Sequence, residues 1–68
     1  MYSESWNLKC IKSFSMSFWT FKEGCEYRVK DKFPDDTGDV EKGVWEVCNS
    51  GSLFNIDYTV RKKYFIPV

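Results

Sequence analysis

The chain has 68 residues, with ten basic and ten acidic side chains and no histidine, so its formal net charge is zero. This length allows a single domain. The charge balance argues against non-specific DNA binding as the main task, because that needs an excess of cations to neutralise phosphates, and equally against an acidic mimic of DNA. No run of apolar residues approaches the roughly 20 that span a membrane.

Alternation of apolar and polar side chains predicts β-strands along most of the chain. Cys25, Tyr27 and Val29 alternate with Glu26, Arg28 and Lys30, which is typical of a half-buried strand. Four further strands are predicted at residues 6–10, 45–47, 53–58 and 64–66. The last of these ends before Pro67, whose missing N–H suits a strand end.

Turn signals separate the predicted strands. Residues 22–24 end in Gly24, which accepts the positive φ of a tight turn, and residues 49–52 predict a hairpin turn. Residues 33–39 form an acidic loop, and residues 59–63 are predicted to form one turn of 3₁₀ helix. No window of 11 residues has a convincing helical stripe. We therefore expect an all-β fold of five strands, a small barrel or a strongly bent sheet.

The pattern resembles an SH3-like barrel. Residues 21–29, Phe-Lys-Glu-Gly-Cys-Glu-Tyr-Arg-Val, are similar to the diverging turn and second strand of SH3 domains. Residues 44–47, Val-Trp-Glu-Val, resemble the Trp-containing third strand. Residues 49–52 fall where the distal hairpin belongs, and residues 59–63 fall where SH3 domains carry a 3₁₀ turn. The resemblance covers residues 6–68 and implies one five-stranded barrel domain over residues 1–68.

The layout from residues 8–12 to residues 64–68 also looks like small SH3-like proteins of phages and prophages. That resemblance implies a phage-encoded protein acting in the host cytoplasm. The chain departs from SH3 domains that bind proline-rich peptides, because it lacks an Ala-Leu-Tyr-Asp-Tyr start and a Pro-x-x-Tyr ending, and its third strand has only Trp45. The resemblance therefore implies the barrel and not the polyproline ligand.

The residue types argue against an enzyme and against a bound metal or cofactor. A cysteine nucleophile needs a neighbouring base, and the chain has no histidine. Asp35 and Asp36 are adjacent carboxylates, but they lie on a Gly/Pro loop and not in the buried setting that general acid–base catalysis uses. The acidic loop does not match a Ca²⁺-binding loop, and there is no glycine-rich phosphate loop.

The three cysteines, Cys10, Cys25 and Cys48, contain no C-x-x-C pair, so zinc-ligand spacing is absent. We expect them to be small buried hydrophobes in a protein of the reducing cytoplasm. One structural or intermolecular disulfide is the alternative. The polar side chains among residues 1–11 do not fit a signal peptide.

Large apolar side chains concentrate in residues 14–21, where serines separate most of them. A chain of this size buries only about 60% of its unfolded surface, so we expect some of these rings at the surface as a contact site. Met16 would adapt to an irregular partner and Trp19 would be an exposed anchor, whereas Phe21 is more typical of a core. Alternatively, Phe18 and Phe21 cap the barrel ends while Phe14 and Met16 fold back onto it.

Further aromatic residues lie outside this segment. Trp6 and Tyr2 are predicted either to form a packed strand start or to belong to a self-association surface. Trp45 is predicted to be a core residue, or a groove aromatic if the SH3 resemblance extends that far. The full set of predicted partner-binding residues is Phe14, Met16, Phe18, Trp19, Trp6 and Tyr64.

These observations favour a non-enzymatic protein-binding module, monomeric or homodimeric. The phage resemblance would make it an inhibitor or modulator of a host protein. One alternative is a small barrel that binds single-stranded nucleic acid by stacking bases on rings beside basic residues. For that hypothesis the rings are Phe18, Trp19 and Tyr64, and the cations are Lys9, Lys12, Lys22 and residues 61–63. A second alternative is a structural or assembly protein that acts as an oligomer.

Overall fold

The structure is a computed structural model that describes residues 6–68; Tyr2 lies outside them. The strands and one helix follow the chain as β1 (Asn7–Cys10), β2 (Phe14–Met16), β3 (Trp19–Phe21), β4 (Glu26–Lys32), β5 (Trp45–Asn49), β6 (Ser52–Ile56), α1 (Tyr58–Tyr64) and β7 (Phe65–Pro67). The fold is mostly β, as predicted. No helix in this part of the chain is long and apolar enough to cross a membrane.

Five strands form one sheet in the order β6-β5-β4-β1-β7, with antiparallel neighbours throughout. Strands β2 and β3 pair with each other in a separate two-stranded sheet. Strands β6 and β7 are the edges of the larger sheet, which does not close into a barrel within the described residues. The five predicted strands correspond to β1, β4, β5, β6 and β7, and the β2–β3 hairpin was missed.

The inward-facing side chains of these strands form one core, as the period of two predicts. Its fully buried members come from both sheets and are Leu8, Cys10, Phe21, Val29, Trp45, Val47, Ile56 and Phe65. The prediction that Trp45 belongs to the core is confirmed. The indole Nε1–H of Trp45 donates to the carbonyl oxygen of Val40 at 2.9 Å, so its polar atom is satisfied.

The 3₁₀ turn predicted at residues 59–63 is wrong, because this segment is the α-helix α1. Asp57 is its N-cap, and the Asp57 side chain accepts a hydrogen bond from the backbone N–H of Val60 at 2.9 Å. The cap also explains why the strand predicted over residues 53–58 ends at Ile56. The chain becomes helical from Tyr58, directly after this cap.

Arg61, one of the cations that the nucleic-acid hypothesis needs beside the rings, is buried. Its Nη1 donates to the carbonyl oxygens of Gly43 at 2.7 Å and Ile56 at 2.9 Å, and its Nη2 donates to that of Glu41. Its guanidinium carbon lies 4.0 Å from the ring centroid of Trp45. Burial lowers the pKa of Arg61, and the charges of Glu41 and Asp57 oppose this shift. Arg61 thus ties α1 to the loop before β5.

Only one of the three free cysteines is the buried hydrophobe that the sequence predicted. Cys10 is fully buried, Cys48 is half-buried and Cys25 is exposed. Burial raises the pKa of the Cys10 thiol, which therefore stays protonated at neutral pH. Cys25 precedes β4 in a turn, where its backbone bonds to Lys22 and Cys10 while its side chain faces solvent.

Candidate functional site: the β2–β3 hairpin

The β2–β3 hairpin turns through only two residues, Ser17 and Phe18. Met16 and Trp19 are directly paired across the two strands. Ser17 has φ +46° and Phe18 has φ +69°. Positive φ at both central residues defines a type I′ turn, for which Asn-Gly, Asp-Gly and Gly-Gly are preferred. A bulky residue in this region of backbone space is an outlier and costs roughly 1–2 kcal/mol.

The turn exposes an entire aromatic ring. Phe18 has a relative exposure of 106%, and the adjacent Trp19 is 40% exposed. Met16, which pairs with Trp19, is half-buried. Phe18 therefore contributes no packing that would offset the strain of its backbone.

The base of the hairpin is fixed to the core by stacked rings. Phe14 and Phe21 pair across the strands, with ring centroids 5.0 Å apart and nearly parallel planes. Phe21 is fully buried. The ring of Phe14 also stacks on Tyr64 at 4.3 Å and meets Phe65 edge-on at 5.6 Å. These contacts hold the base of the hairpin against α1 and β7.

The middle of the hairpin is attached to the β5–β6 hairpin. Trp19 meets the ring of Phe54 at 6.1 Å in an edge-to-face arrangement. The buried Asn49 donates from Nδ2 to the carbonyl oxygen of Thr20 at 3.0 Å. On the opposite face, the hydroxyls of Ser15 and Thr20 are 3.3 Å apart. The strands of the hairpin are therefore attached to the rest of the fold, whereas its turn is exposed.

The structure separates the six predicted partner-binding residues into three groups. Phe18, Trp19 and Met16 lie together at the tip. Phe14 and Tyr64 stack on one another at the base and are half-buried. Trp6 is exposed and lies elsewhere, with the Nζ of Lys32 at 4.5 Å from its ring centroid; within residues 6–68 no ring contact joins it to the hairpin.

The hairpin carries no charge. Residues 13–21 contain no acidic or basic side chain, and the nearest cations in sequence are Lys12 and Lys22. At the base, the backbone N–H of Lys22 donates to the hydroxyl of Tyr27 and that of Glu23 donates to the hydroxyl of Ser13, both at 2.8 Å. The contact surface at the tip is thus aromatic and neutral, and its polar side-chain groups are hydroxyls and the indole N–H of Trp19.

A concave region lies beside α1. It is a cleft of about 100 Å³ whose lining includes Trp45, Tyr58, Arg61 and Glu41. The guanidinium of Arg61 is committed to backbone carbonyls, and the ring of Trp45 is covered by Arg61 and by the Nζ of Lys32 at 4.2 Å. This region therefore stabilises the fold, and its Arg61 and Trp45 side chains are less available to a partner than the rings at the hairpin tip.

Comparison of the chain with protein-family models, curated proteins and solved structures gives no match.

Proposed function

We propose that this protein is a non-enzymatic protein-binding module that inserts the tip of the β2–β3 hairpin into an apolar pocket of a partner protein. One observation carries the proposal: Phe18 is wholly exposed at a backbone conformation that disfavours its side chain. Backbone strain that local packing does not offset is concentrated at binding and catalytic sites.

The energetics favour a contact centred on Phe18 and Trp19. Transfer of a phenylalanine side chain from water to an apolar pocket is worth about 1.5–3 kcal/mol. Tryptophan is enriched among the few residues that dominate interface energies. Because Phe21, Phe14 and Asn49 already fix the hairpin, docking its tip orders few additional groups.

A protein partner explains the charge distribution better than single-stranded nucleic acid. Phosphate contacts require cations next to the stacking rings, and residues 13–21 have none. Arg61, one of the cations proposed for phosphate binding, is buried. Nucleic acid binding remains as an outcome of the experiment below.

The resemblance to SH3-like proteins of phages extends the proposal. The antiparallel order β6-β5-β4-β1-β7, with a short helix before the last strand, supports an SH3-like arrangement of the strands. On that plan the β2–β3 hairpin is the long loop after the first strand, which commonly lines the ligand face. The protein would then be a phage-encoded inhibitor or modulator of a host protein in the host cytoplasm.

The test is affinity capture from bacterial lysate with the wild-type protein and two hairpin variants, Phe18→Ser and Trp19→Ala, before and after nuclease treatment. We expect one protein to be retained after nuclease treatment by the wild type and lost with both variants. Binding of that protein is then measured with purified components, and Phe18→Ser is expected to weaken it at least tenfold.

Phe33→Ser is the matched control, because Phe33 is also an exposed phenylalanine but lies outside the hairpin. It should bind like the wild type. Loss of all retention after nuclease treatment would favour nucleic acid instead, and equal weakening by Phe33→Ser would refute the assignment of the hairpin tip.

A further inference from the structure

Strand β6 is an open edge of the five-stranded sheet. Asn49 and Ser52 flank the two-residue turn between β5 and β6, so they form a hydrogen-bonded pair of the ladder. The alternation of the ladder then directs the backbone N–H and C=O groups of Leu53 and Asn55 away from β5. Within residues 6–68, these outward N–H and C=O groups form no backbone hydrogen bond.

This edge lacks the features that usually prevent strands from pairing with other molecules. The sequence of β6, Ser-Leu-Phe-Asn-Ile, has no charge and no proline, and its register with β5 is unbroken. Leu53 is exposed. By contrast, β7 has three residues and ends in Pro67, and the outer carbonyl of Thr20 on β3 is occupied by Asn49.

We propose that the β6 edge binds β6 of a second copy of this chain in antiparallel register, with the two-fold axis at Phe54. Leu53 and Asn55 are equally spaced about Phe54, so this axis places Leu53 of each copy opposite Asn55 of the other. Every outward N–H and C=O group of these residues then gains a partner, and the same patch serves both copies, as a two-fold dimer requires.

A second copy fits this edge for two reasons. The strand is uncharged, so pairing with itself places no like charges opposite each other. The axis also brings the two Phe54 side chains together, and each carries Trp19 edge-on at 6.1 Å. Dimerisation through β6 would therefore cover part of the aromatic surface beside the hairpins. The inference rests on the backbone of β6 and stands apart from the proposed partner binding.

The experiment measures the mass of the purified protein by sedimentation over a wide range of concentration. The wild type is expected to approach twice the monomer mass as concentration rises. A monomer at every concentration would overturn the proposal.

Charge-swapped double variants test the register. In Leu53→Lys/Asn55→Lys, lysines of the two copies face each other, and we expect loss of the dimer; Leu53→Glu/Asn55→Glu should behave in the same way. An equal mixture of the two variants should restore the dimer, and added salt should weaken it. A dimer that persists in either double variant alone, or a mixture that stays monomeric, would refute the register.

A proline variant tests the backbone directly. Asn55→Pro removes an N–H that the ladder with β5 does not use, so the monomer is expected to fold while the dimer is lost. Circular dichroism and amide exchange verify the fold of each variant. Phe18→Ser is the control: retention of its dimer together with loss of partner binding separates this inference from the proposed function.

Discussion

The two short hairpins of this protein use the same turn geometry with opposite residue choices. The β5–β6 hairpin turns at Ser50 and Gly51, with φ +51° and +84°. The β2–β3 hairpin turns at Ser17 and Phe18, also with positive φ at both positions. The first turn places glycine where the backbone demands it, whereas the second places a phenylalanine there and leaves its ring in solvent.

The two turns differ in whether the second central residue suits the backbone. The β5–β6 turn has glycine at its second central position, and the register of its two strands is unbroken, as expected of a structural turn. The β2–β3 turn violates the local rule with no compensating contact in the described structure. Departures of this kind are expected at functional sites. The following changes test whether that contrast is real.

Truncation of a ring at the base of the β2–β3 hairpin should destabilise the protein far more than truncation of a ring at its tip. Phe21→Ala removes a fully buried ring that contacts Phe14, Tyr27 and Phe65, and it should lower the free energy of unfolding by about 3–5 kcal/mol. Phe18→Ala should leave that free energy unchanged within about 0.5 kcal/mol. Chemical denaturation measures both; a comparable loss in Phe18→Ala would mean that its ring is packed.

The next effect tests the turn that obeys the rule. Gly51→Ala places a Cβ on a residue with φ +84° and should destabilise the protein by about 1–2 kcal/mol through the backbone alone, since no atom lies within 4 Å of the added Cβ. Ser50→Ala is the control, because residue 50 already carries a Cβ. If thermal unfolding shows equal losses for both variants, the demand for glycine in this turn is disproved.

A smaller effect tests the link between the hairpins. Asn49→Ala deletes the hydrogen bond to the carbonyl of Thr20 and should cost about 1 kcal/mol. Amide exchange in β2 and β3 should accelerate more than in β4, because the hairpin loses an attachment. Asn55→Ala, on an exposed side chain of the same β5–β6 hairpin, should leave both quantities unchanged. Uniform acceleration across the sheet would contradict a local role for Asn49.

The smallest effect concerns acid. The pKa of Asp35 is lowered, chiefly by the hydroxyl of Thr37 and then by the backbone N–H of Asp39. Because unfolded aspartates titrate at about pH 3.9, the stabilisation is complete above that pH and is lost as pH falls through the lower folded pKa. Thr37→Val should raise the pKa of Asp35 in the folded protein. The stabilisation from this carboxylate should then be smaller, and its loss should be complete at a higher pH. An NMR titration that finds no change would contradict the assigned cause.

The β2–β3 hairpin itself should not contribute to that acid response, since residues 13–21 contain no acidic or basic side chain. Partner binding through Phe18 should therefore vary with pH only through the partner or through global unfolding.

Alternation predicted the strands of the main sheet because each has one buried face. The β2–β3 hairpin also alternates, with Phe14 and Met16 about Ser15, but none of the five predicted strands covers it. Its turn carries no glycine or asparagine, so the usual signal between two strands is missing. The phenylalanine in the turn is thus the reason why the sequence did not predict the hairpin, and it is also the reason why the hairpin is a candidate site.

The helix and the burial of Arg61 could not be read from local sequence. Helix α1 has seven residues, which is shorter than the window needed to detect a helical stripe, although Asp57 is a typical N-cap residue. The partners of Arg61 include the carbonyls of Glu41 and Gly43, far away in the chain. Gly43 fits there because an added Cβ would lie 1.7 Å from the carbonyl oxygen of Phe33.

The most direct test of the central claim is to measure unfolding and partner affinity together in Phe18→Gly. Glycine accepts the positive φ at this turn, so we expect a free energy of unfolding higher than wild type by about 1 kcal/mol. We also expect the affinity for the captured partner protein to fall at least tenfold. A variant that is less stable than wild type, or one that binds as tightly, would contradict the claim that Phe18 is retained for binding at the expense of the turn.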